Sequence, residues 1–472
     1  MLNKPQPIEI PTEDPFLNDK LNRKESAELL TNLLETTTGP FVLGLTSSWG
    51  RGKTTFINMW SELLSGRAPT LYFNAWSTDF SDDPLLSFIG EIESQIDSEK
   101  LNFNKDSNTK KIFNQVATSG TKLVKTFTPL AVKLMTLGTI NGIEELKEIF
   151  DFDPNSDDSV GDFLAKLSTD KLNEYKSQKE SMNKFREHLE EFSISLRNSE
   201  TGLPLIIFVD ELDRCKPTYT IELLETIKHI FSVLGVVFIL SIDREQLENS
   251  LKSIYGSDLD TNGYLARFID LEYKLPDPEY GCLVEQLIKT YDISSILNSK
   301  NYPKPSCEHV SEVIKNIGFI LNITPRIIEQ VFTKLRIILS IMPDYNTKKY
   351  SMLYMPLLLI LSMHNKLALK NLISDGYLPG NLNNYGVNTR SLSDAIKNSD
   401  YLAALNYLVY YNNQNQRNRE IKFQALNKAN SLTPEQETEF EVLLDIRNNF
   451  KQNFHDKTLE LIELSSNFSS TS

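Results

Sequence analysis

The sequence predicts an α/β fold built on a mostly parallel sheet, with a helical insertion and a helical C-terminal region. Three observations predict it. An apolar run, Phe41 to Leu45, leads through a glycine-containing turn, Ser47-Ser48-Trp49-Gly50-Arg51-Gly52-Lys53-Thr54, into a stretch whose Phe56, Ile57, Trp60, Leu63 and Leu64 recur at helical spacing. The strongest strand pattern, Leu205 to Val209, ends in Asp210-Glu211-Leu212-Asp213-Arg214. Strand and helix patterns alternate on either side of these, as in sheets whose parallel strands are joined by helices packed on both faces.

Residues 1 to about 24 read as an extended entry segment punctuated by Asp and Pro. Arg23 to Thr36 has helical spacing in Ala27, Leu29, Leu30, Leu33 and Leu34. The strand–turn–helix unit follows at about 40–65, and Thr70 to Trp76 reads as a second strand, rich in aromatic and branched residues. About 84–200 reads as mostly helical. Within it, Lys166 to Arg197 is highly charged, with a sparse apolar stripe of Leu172, Tyr175, Phe185, Leu189, Phe192 and Leu196, the pattern of a solvated helix face. Thr109 to Gly142 differs in kind: it is rich in Lys and Thr, apolar in patches and free of acidic residues. It fits either an amphipathic segment on a membrane surface or a helical insertion packed on the domain or a partner, and the second is favoured. Beyond the acidic strand, Leu223, Leu224, Ile227, Ile230, Phe231 and Leu234 mark a helix. Val236 to Ile242 is a further strand leading into Asp243-Arg244, and Phe268 to Leu275 is a third, ending at Pro276. From about 280 the strand signals fade. The remainder reads as helical, with a polar patch around Asn412 to Asn418 and a Ser/Thr tail with the composition of a disordered segment. Two domains are expected, 1–279 and 280–472.

The bulk numbers bound the class. A hydrophobic content of 40% and a charged content of 24% describe an ordinary globular chain of 472 residues. A net charge of −14 does not favour a protein that coats nucleic acid over its whole surface, though it leaves a local basic groove open. Cys215, Cys282 and Cys307 are far apart and show no metal-ligand spacing, which fits inert thiols in a reducing cytoplasm. No signal-peptide pattern and no apolar run of about 18 residues occurs, so a cytoplasmic location without a spanning helix is expected.

The turn at 47–54 has the spacing of a phosphate-binding loop. Its glycines let the backbone curl so that successive N–H groups face phosphate oxygens, and the following helix N-terminus adds partial positive charge. Ser48, Trp49, Gly50, Arg51, Gly52, Lys53, Thr54 and Thr55 are therefore the expected nucleotide-binding residues. Lys53 would reach the β- and γ-phosphates, and the Thr54 hydroxyl would bind Mg²⁺. The usual pattern opens with Gly where this chain has Ser47, which is admissible if φ there is negative. An apolar strand ending in acids is the companion of such a loop. Asp210 would hold Mg²⁺ directly or through water, and Glu211 falls where a general base would polarise a water for in-line attack on the γ-phosphate. The plainer alternative is that both acids cap the next helix. Ser241 or Asp243 would meet the water or the γ-phosphate, or else form a polar turn after a buried strand.

The combination resembles a known family. The loop Trp49-Gly50-Arg51-Gly52-Lys53-Thr54, the segment Phe73-Asn74-Ala75-Trp76 and the strand end Asp210-Glu211-Leu212-Asp213-Arg214-Cys215 resemble the KAP family of P-loop NTPases. So do Glu222 to His229, Ile242-Asp243-Arg244-Glu245, Tyr264 to Asp270 and Leu275-Pro276, and the resemblance covers about 8–340. The departures are Ser47 and the absence of the membrane-spanning segments that many members insert between the two nucleotide motifs. The resemblance implies a P-loop NTPase of the additional-strand, catalytic-glutamate division, with ATP and Mg²⁺ as cofactors and Glu211 and Lys53 as catalytic residues. It also places an arginine at Arg326, at the start of a helix after the sheet, as the first candidate to sense the γ-phosphate. Arg244 and Arg267 read instead as structural salt bridges. Trp49 is expected to pack against the segment holding Trp76, with base stacking the less favoured role, because aromatics beside phosphate sites are more often core.

A Mg-dependent regulatory ATPase is the expected function, in a bacterial anti-phage defence system by analogy with relatives in defence operons. The alternative is an ATP-dependent scaffold for a membrane-associated or multiprotein assembly that needs no turnover. A kinase would call for a lid with several arginines, and a GTPase for an Asn-Lys-x-Asp motif; neither is visible. Proteins of the same operon and further copies of the chain are the expected partners. Nucleic-acid contact is left open and peripheral membrane contact is not favoured.

Overall fold

The structure is a computed structural model. It describes residues 8–37, 39–81, 83–97, 107–126, 160–196, 203–228, 230, 232–299, 306–341, 351–364, 416–429 and 431–449, with the isolated positions 366, 369 and 462. The chain divides into two compact units, one formed by 9–18 and 23–276, the other by 1–8, 19–22 and 277–472.

The first unit is a sheet covered by helices. Its strands are β1 (Phe41–Thr46), β2 (Thr70–Asn74), β3 (Leu205–Asp210), β4 (Val236–Ile242) and β5 (Leu271–Lys274). All pairings are parallel, in the order β2-β3-β4-β1-β5. An additional strand, β4, thus stands between the strand that enters the glycine turn and the strand that ends in acids. The helices are α1 (Lys24–Glu35), α2 (Lys53–Leu63), the single turn α3 (Ala75–Thr78), α4 (Pro84–Asp97), α5 (Ser107–Thr126), α6 (Val160–Leu196), α7 (Pro217–Ile227), α8 (Arg244–Tyr255) and α9 (Thr261–Leu265).

Strand period two divides the core between the faces of the sheet. Leu205, Ile207 and Val209 of β3 and Phe238, Leu240 and Ile242 of β4 join Leu85, Phe88, Ile89 and Ile92 of α4 on one face. Ile206, Phe208, Val237, Ile239, Leu43 and Leu45 join Phe56, Ile57 and Trp60 of α2 and Ala27, Leu30 and Leu34 of α1 on the other. The Trp60 indole donates to Thr31 Oγ1 at 3.0 Å, tying α2 to α1 inside that layer. Leu29, read from spacing as part of the α1 stripe, points outward and is exposed.

The insertion packs rather than projects. Phe113 and Val116 of α5 and Met182, Phe185, Leu189, Phe192 and Leu196 of α6 are buried in the first of those two clusters. The charged stretch of α6 therefore keeps its apolar stripe inside, as far as the stripe is described; the side chains of Leu172 and Tyr175 lie outside the described residues. Of the Lys/Thr-rich segment, the part up to Thr126 belongs to α5, and the rest lies outside them. The third expected strand is shorter than its pattern. Ala266 to Phe268 folds into turns, and pairing begins at Leu271 after the Asp270 carboxylate accepts from the Val42 N–H at 2.8 Å.

The regular elements described in the second unit are all helices. Its helices are α10 (Tyr280–Thr290), α11 (Ile293–Ser299), α12 (Ser306–Ile320), α13 (Pro325–Ile341), α14 (Ser351–His364), α15 (Gln416–Asn427) and α16 (Pro434–Asn449). One cluster runs through it, from Val284 and Leu287 by Val313, Ile317, Phe332 and Leu335 to the apolar run Leu357 to Leu361. Most of the Asn-rich patch and the final Ser/Thr residues lie outside the described residues. No helix among those described is long and apolar enough to cross a membrane.

Candidate functional site

The site lies at the carboxyl edge of the sheet, where β1, β3 and β4 end. Ser47 continues the ladder, donating its N–H to Ile242 O at 3.2 Å. Its φ is not positive, so the first loop position does not need glycine. Positive φ appears where the glycines are, at Gly50 (75°) and Gly52 (82°). A side chain at either would strain the backbone by about 1–2 kcal/mol. Gly52 stands at the N-cap of α2, which begins at Lys53, so the helix N-terminus points into the loop.

Lys53 is buried, and its Nζ donates to Ser47 O at 2.6 Å. Burial lowers the pKa of its amine; the carboxylates of Asp213, Asp243 and Asp210 act against that shift. Asp210, the last residue of β3, is buried. Thr54, the other expected metal ligand, and Thr55 fall in the first turn of α2.

The tip of the loop is tied to both neighbouring strand ends. The Trp49 N–H donates to Asp243 Oδ2 at 2.9 Å, and the Trp49 indole N–H donates to Asp213 Oδ2. Burial pushes the Asp213 carboxyl up, against the pull of Lys53 and of the Trp49 indole. Asp243 also caps α8 through the Gln246 N–H. The Arg51 carbonyl at the far side of the loop accepts from Arg23 Nη1 at 2.7 Å, while Nη2 of the same buried arginine donates to Pro276 O at 3.3 Å. A cation fixed between two carbonyls holds the loop against the chain on either side of it.

The acidic tip is held by side chains. Glu211 sits at φ 61°, ψ 23°, left-handed without being glycine. Such a residue is strained by about 1–3 kcal/mol, a strain that clusters at functional sites. One carboxylate oxygen pairs with Arg214 Nη1 at 2.6 Å, and the other accepts from Asn74 Nδ2 at 3.2 Å. Asn74 uses its own amide oxygen to cap α3 through the Ser77 N–H at 2.9 Å. Two residues earlier on the same face of β2, Tyr72 donates to Asp210 Oδ2 at 3.1 Å. Burial first, then the neighbouring acids, push the Tyr72 phenol up, so it stays a donor. Asp210 Oδ1 accepts from the Glu211 N–H at 2.9 Å. Opposite Asp210 in the β3–β4 register stands Ser241, whose Oγ is buried with no hydrogen-bond partner.

The structure thus brings together Ser47 to Thr55, Asp210, Glu211, Ser241 and Asp243 of the residues expected from sequence. Arg326 belongs to the second unit, in the first turn of α13; burial pushes the carboxyl of neighbouring Glu329 up, and Arg326 acts against that shift. Arg244 is structural, as read: it donates to Glu248 and Asn262, both at 2.7 Å, and to Glu272. Arg267 rests over the Tyr264 ring, 6.0 Å from its centroid, which replaces the expected salt bridge. Trp49 and Trp76 are not core; they are 42% and 52% exposed. The core beside the loop is already filled by Phe56 and Trp60. The Cys215 thiol is buried and pushed up to about 12, which makes it unreactive; Cys282 is exposed and Cys307 half-buried.

Four contributors were not given roles from sequence: Arg23, Tyr72, Asn74 and Arg214. Tyr72 and Asn74 carried a signal, polar atoms two residues apart at the end of a strand.

The KAP family P-loop domain matches residues 22–342, more than half of the chain. The chain is also 31% identical over 179 residues to the uncharacterized protein MJ0182 of Methanocaldococcus jannaschii, a match covering 35% of this chain and 85% of that one.

Proposed function

We propose that this chain, which belongs to the KAP family of P-loop domains, binds ATP with Mg²⁺ and hydrolyses it as a regulatory ATPase. One observation carries the reading: Trp49 at the tip of the phosphate loop is hydrogen-bonded to Asp213, three residues past the strand end Asp210. Loop and acids are parts of one site.

The residues divide the work. Loop N–H groups and the start of α2 face the phosphates. Lys53 exchanges the Ser47 carbonyl for phosphate oxygens. The donor set fits Mg²⁺, a hard cation that takes oxygen ligands: the Thr54 hydroxyl, and an Asp210 carboxylate whose oxygens each keep a lone pair beyond the bonds from Tyr72 and the Glu211 N–H. Mg²⁺ bound there would neutralise charge on the β- and γ-phosphates. Glu211, oriented by Arg214 and Asn74, accepts a proton from the attacking water. The free Ser241 hydroxyl supplies a hydrogen bond to that water or to the γ-phosphate. Arg326 is our first candidate for the arginine that senses the γ-phosphate, from its own chain or from another copy.

Calorimetric titration of the pure protein with Mg-ATP, followed by phosphate release, tests the reading. Saturable binding and slow turnover are expected; no heat at millimolar nucleotide would overturn it. The Glu211 carboxylate has both oxygens engaged, which favours slow hydrolysis and keeps a second reading alive, an ATP-dependent scaffold. In cells, a scaffold would survive Glu211→Gln and fail with Lys53→Ala, whereas a turnover-dependent switch would fail with both. The finer proposal is a role in anti-phage defence with partners encoded beside the gene; it is supported by the resemblance alone. Equal survival of phage-challenged cells with and without the gene and its neighbours would remove it.

A further inference from the structure

A cavity of ≈ 530 Å³ opens beside the loop, on the side of the acidic tip. That size lies within the range of about 300–1,000 Å³ typical of small-ligand sites. One wall is a face of α8: Gln246, Asn249, Ser250 and Ser253, at the i, i+3, i+4, i+7 spacing of a helical stripe. All four are uncharged, and each both donates and accepts hydrogen bonds. Trp49 and Trp76 line the cavity too, with much of each indole open to solvent. Arg214 is a further wall residue, its guanidinium 5.6 Å from the centroid of the Trp76 ring.

Indole faces stack on heteroaromatic rings. Amide side chains read the paired donor and acceptor on the edge of a base. An arginine takes a phosphate. The walls offer these three together, and their two charged residues, Asp213 and Arg214, are of opposite sign, so little net charge selects an ionic ligand. The triphosphate on the loop does not supply the ring. Glu211 is the base for attack on the γ-phosphate, and Arg214 of the cavity wall is bonded to Glu211, so the cavity adjoins the terminal phosphate. The base of ATP is at the other end of the triphosphate chain from that terminal phosphate. We infer that the cavity is a second ligand site that binds a nucleobase, carried by a free nucleotide or by a single strand, stacked on an indole and read by Gln246 and Asn249. The inference rests on the loop being the triphosphate site. Arg214 is shared between the cavity and Glu211, so a phosphate bound to it reaches the base that drives hydrolysis.

The test uses the full chain. Binding of a non-hydrolysable ATP analogue with Mg²⁺ is measured first, so failure of the phosphate-loop reading shows there, and the second titration then proceeds with or without it. Nucleoside monophosphates, and separately short single-stranded oligonucleotides, are then titrated while tryptophan fluorescence is followed. The chain has three tryptophans, and Trp60 is buried in the core, so quenching reports Trp49 and Trp76. We expect saturable quenching. The double variant Gln246→Ala/Asn249→Ala should weaken it at least tenfold, and Ser250→Phe, which blocks the cavity without adding a tryptophan, should abolish it; neither should change the analogue's affinity. Saturation by mononucleotides identifies a free nucleotide as ligand, and saturation by oligonucleotides alone identifies a strand; both support a base site. No saturable quenching by either probe, or equal quenching in the wild type and both variants, overturns it.

Discussion

The two halves of the site solve the same problem with different materials. The loop presents donors from its backbone, and what curls them inward is backbone geometry, left-handed Gly50 and Gly52 and the start of α2, with Arg23 and Asp243 only anchoring it from outside. The acidic tip presents carboxylates, and what holds them is side chains: Tyr72 and Asn74 of the neighbouring strand β2 on Asp210 and Glu211, and Arg214, three residues on, also on Glu211. The tip also carries a left-handed residue, Glu211, but there the functional side chain itself bears the strain. A backbone device is encoded locally and tolerates changes around it. A side-chain device depends on strand register and fails one partner at a time.

The largest effects should separate the halves by kind. Glu211→Gln removes the base and keeps the shape. Phosphate release should fall by about 10²–10⁴, the usual contribution of a general base, while the Kd for Mg-ATP stays within about threefold. Lys53→Ala removes the side chain that reaches the phosphates from the loop. Its Kd should rise about a hundredfold, some 2.8 kcal/mol. Weakened binding in the first variant, or unaltered binding in the second, would break the division between an anion-holding loop and a water-activating tip.

The same contrast explains what could be read in advance. Gly50, Gly52 and Lys53 stand within four residues, and their spacing alone implies a curled loop. The strand is apolar from Leu205 to Val209, ahead of Asp210, because both its faces are covered. The clamp on the acids was not legible, because it depends on Asn74 lying opposite Asp210 in register across more than a hundred residues of insertion. Trp49 was misread for a related reason. Aromatics near a phosphate loop are usually core, but here α2 already fills the core with Phe56 and Trp60, and the loop tip lies beyond the sheet edge. Arg267 was misread because an aromatic face, Tyr264, served as its partner in place of a carboxylate.

Smaller effects sharpen the comparison. Gly52→Ala forces a side chain into φ 82°. It should lower stability by about 1–2 kcal/mol and weaken nucleotide binding with it. Asn74→Ala should lower turnover about tenfold with binding unchanged, and loss of the α3 cap should lower stability by about 1 kcal/mol. Asn74→Ser separates the two roles. Its hydroxyl can still cap α3 through the Ser77 N–H, so stability should recover, but it is too short to keep the bond to Glu211, so turnover should not. Recovery of both would mean that Asn74 acts only as a helix cap.

The last effect concerns Asp213, the residue that joins the halves. Burial raises its carboxyl above the ordinary 3.8, so between that value and its folded value the native state holds more protons than the unfolded chain. Its stabilising contribution is therefore complete below 3.8 and is lost as pH rises through the folded value. Asn at 213 carries no charge at any pH, and its amide oxygen still accepts from the Trp49 indole. Losing the partner charge near Lys53 adds an offset that does not vary while the lysine stays protonated. The stability of Asp213→Asn relative to wild type should then increase from pH 4.5 to 7.5, by no more than about 1.4 kcal/mol for each pH unit. Urea unfolding without nucleotide, followed by tryptophan fluorescence, reads this in the right place, since all three tryptophans lie in the sheet unit. A gap that stays constant across the range would mean that Asp213 is ionised throughout, with the loop and the tip joined by a carboxylate at every pH.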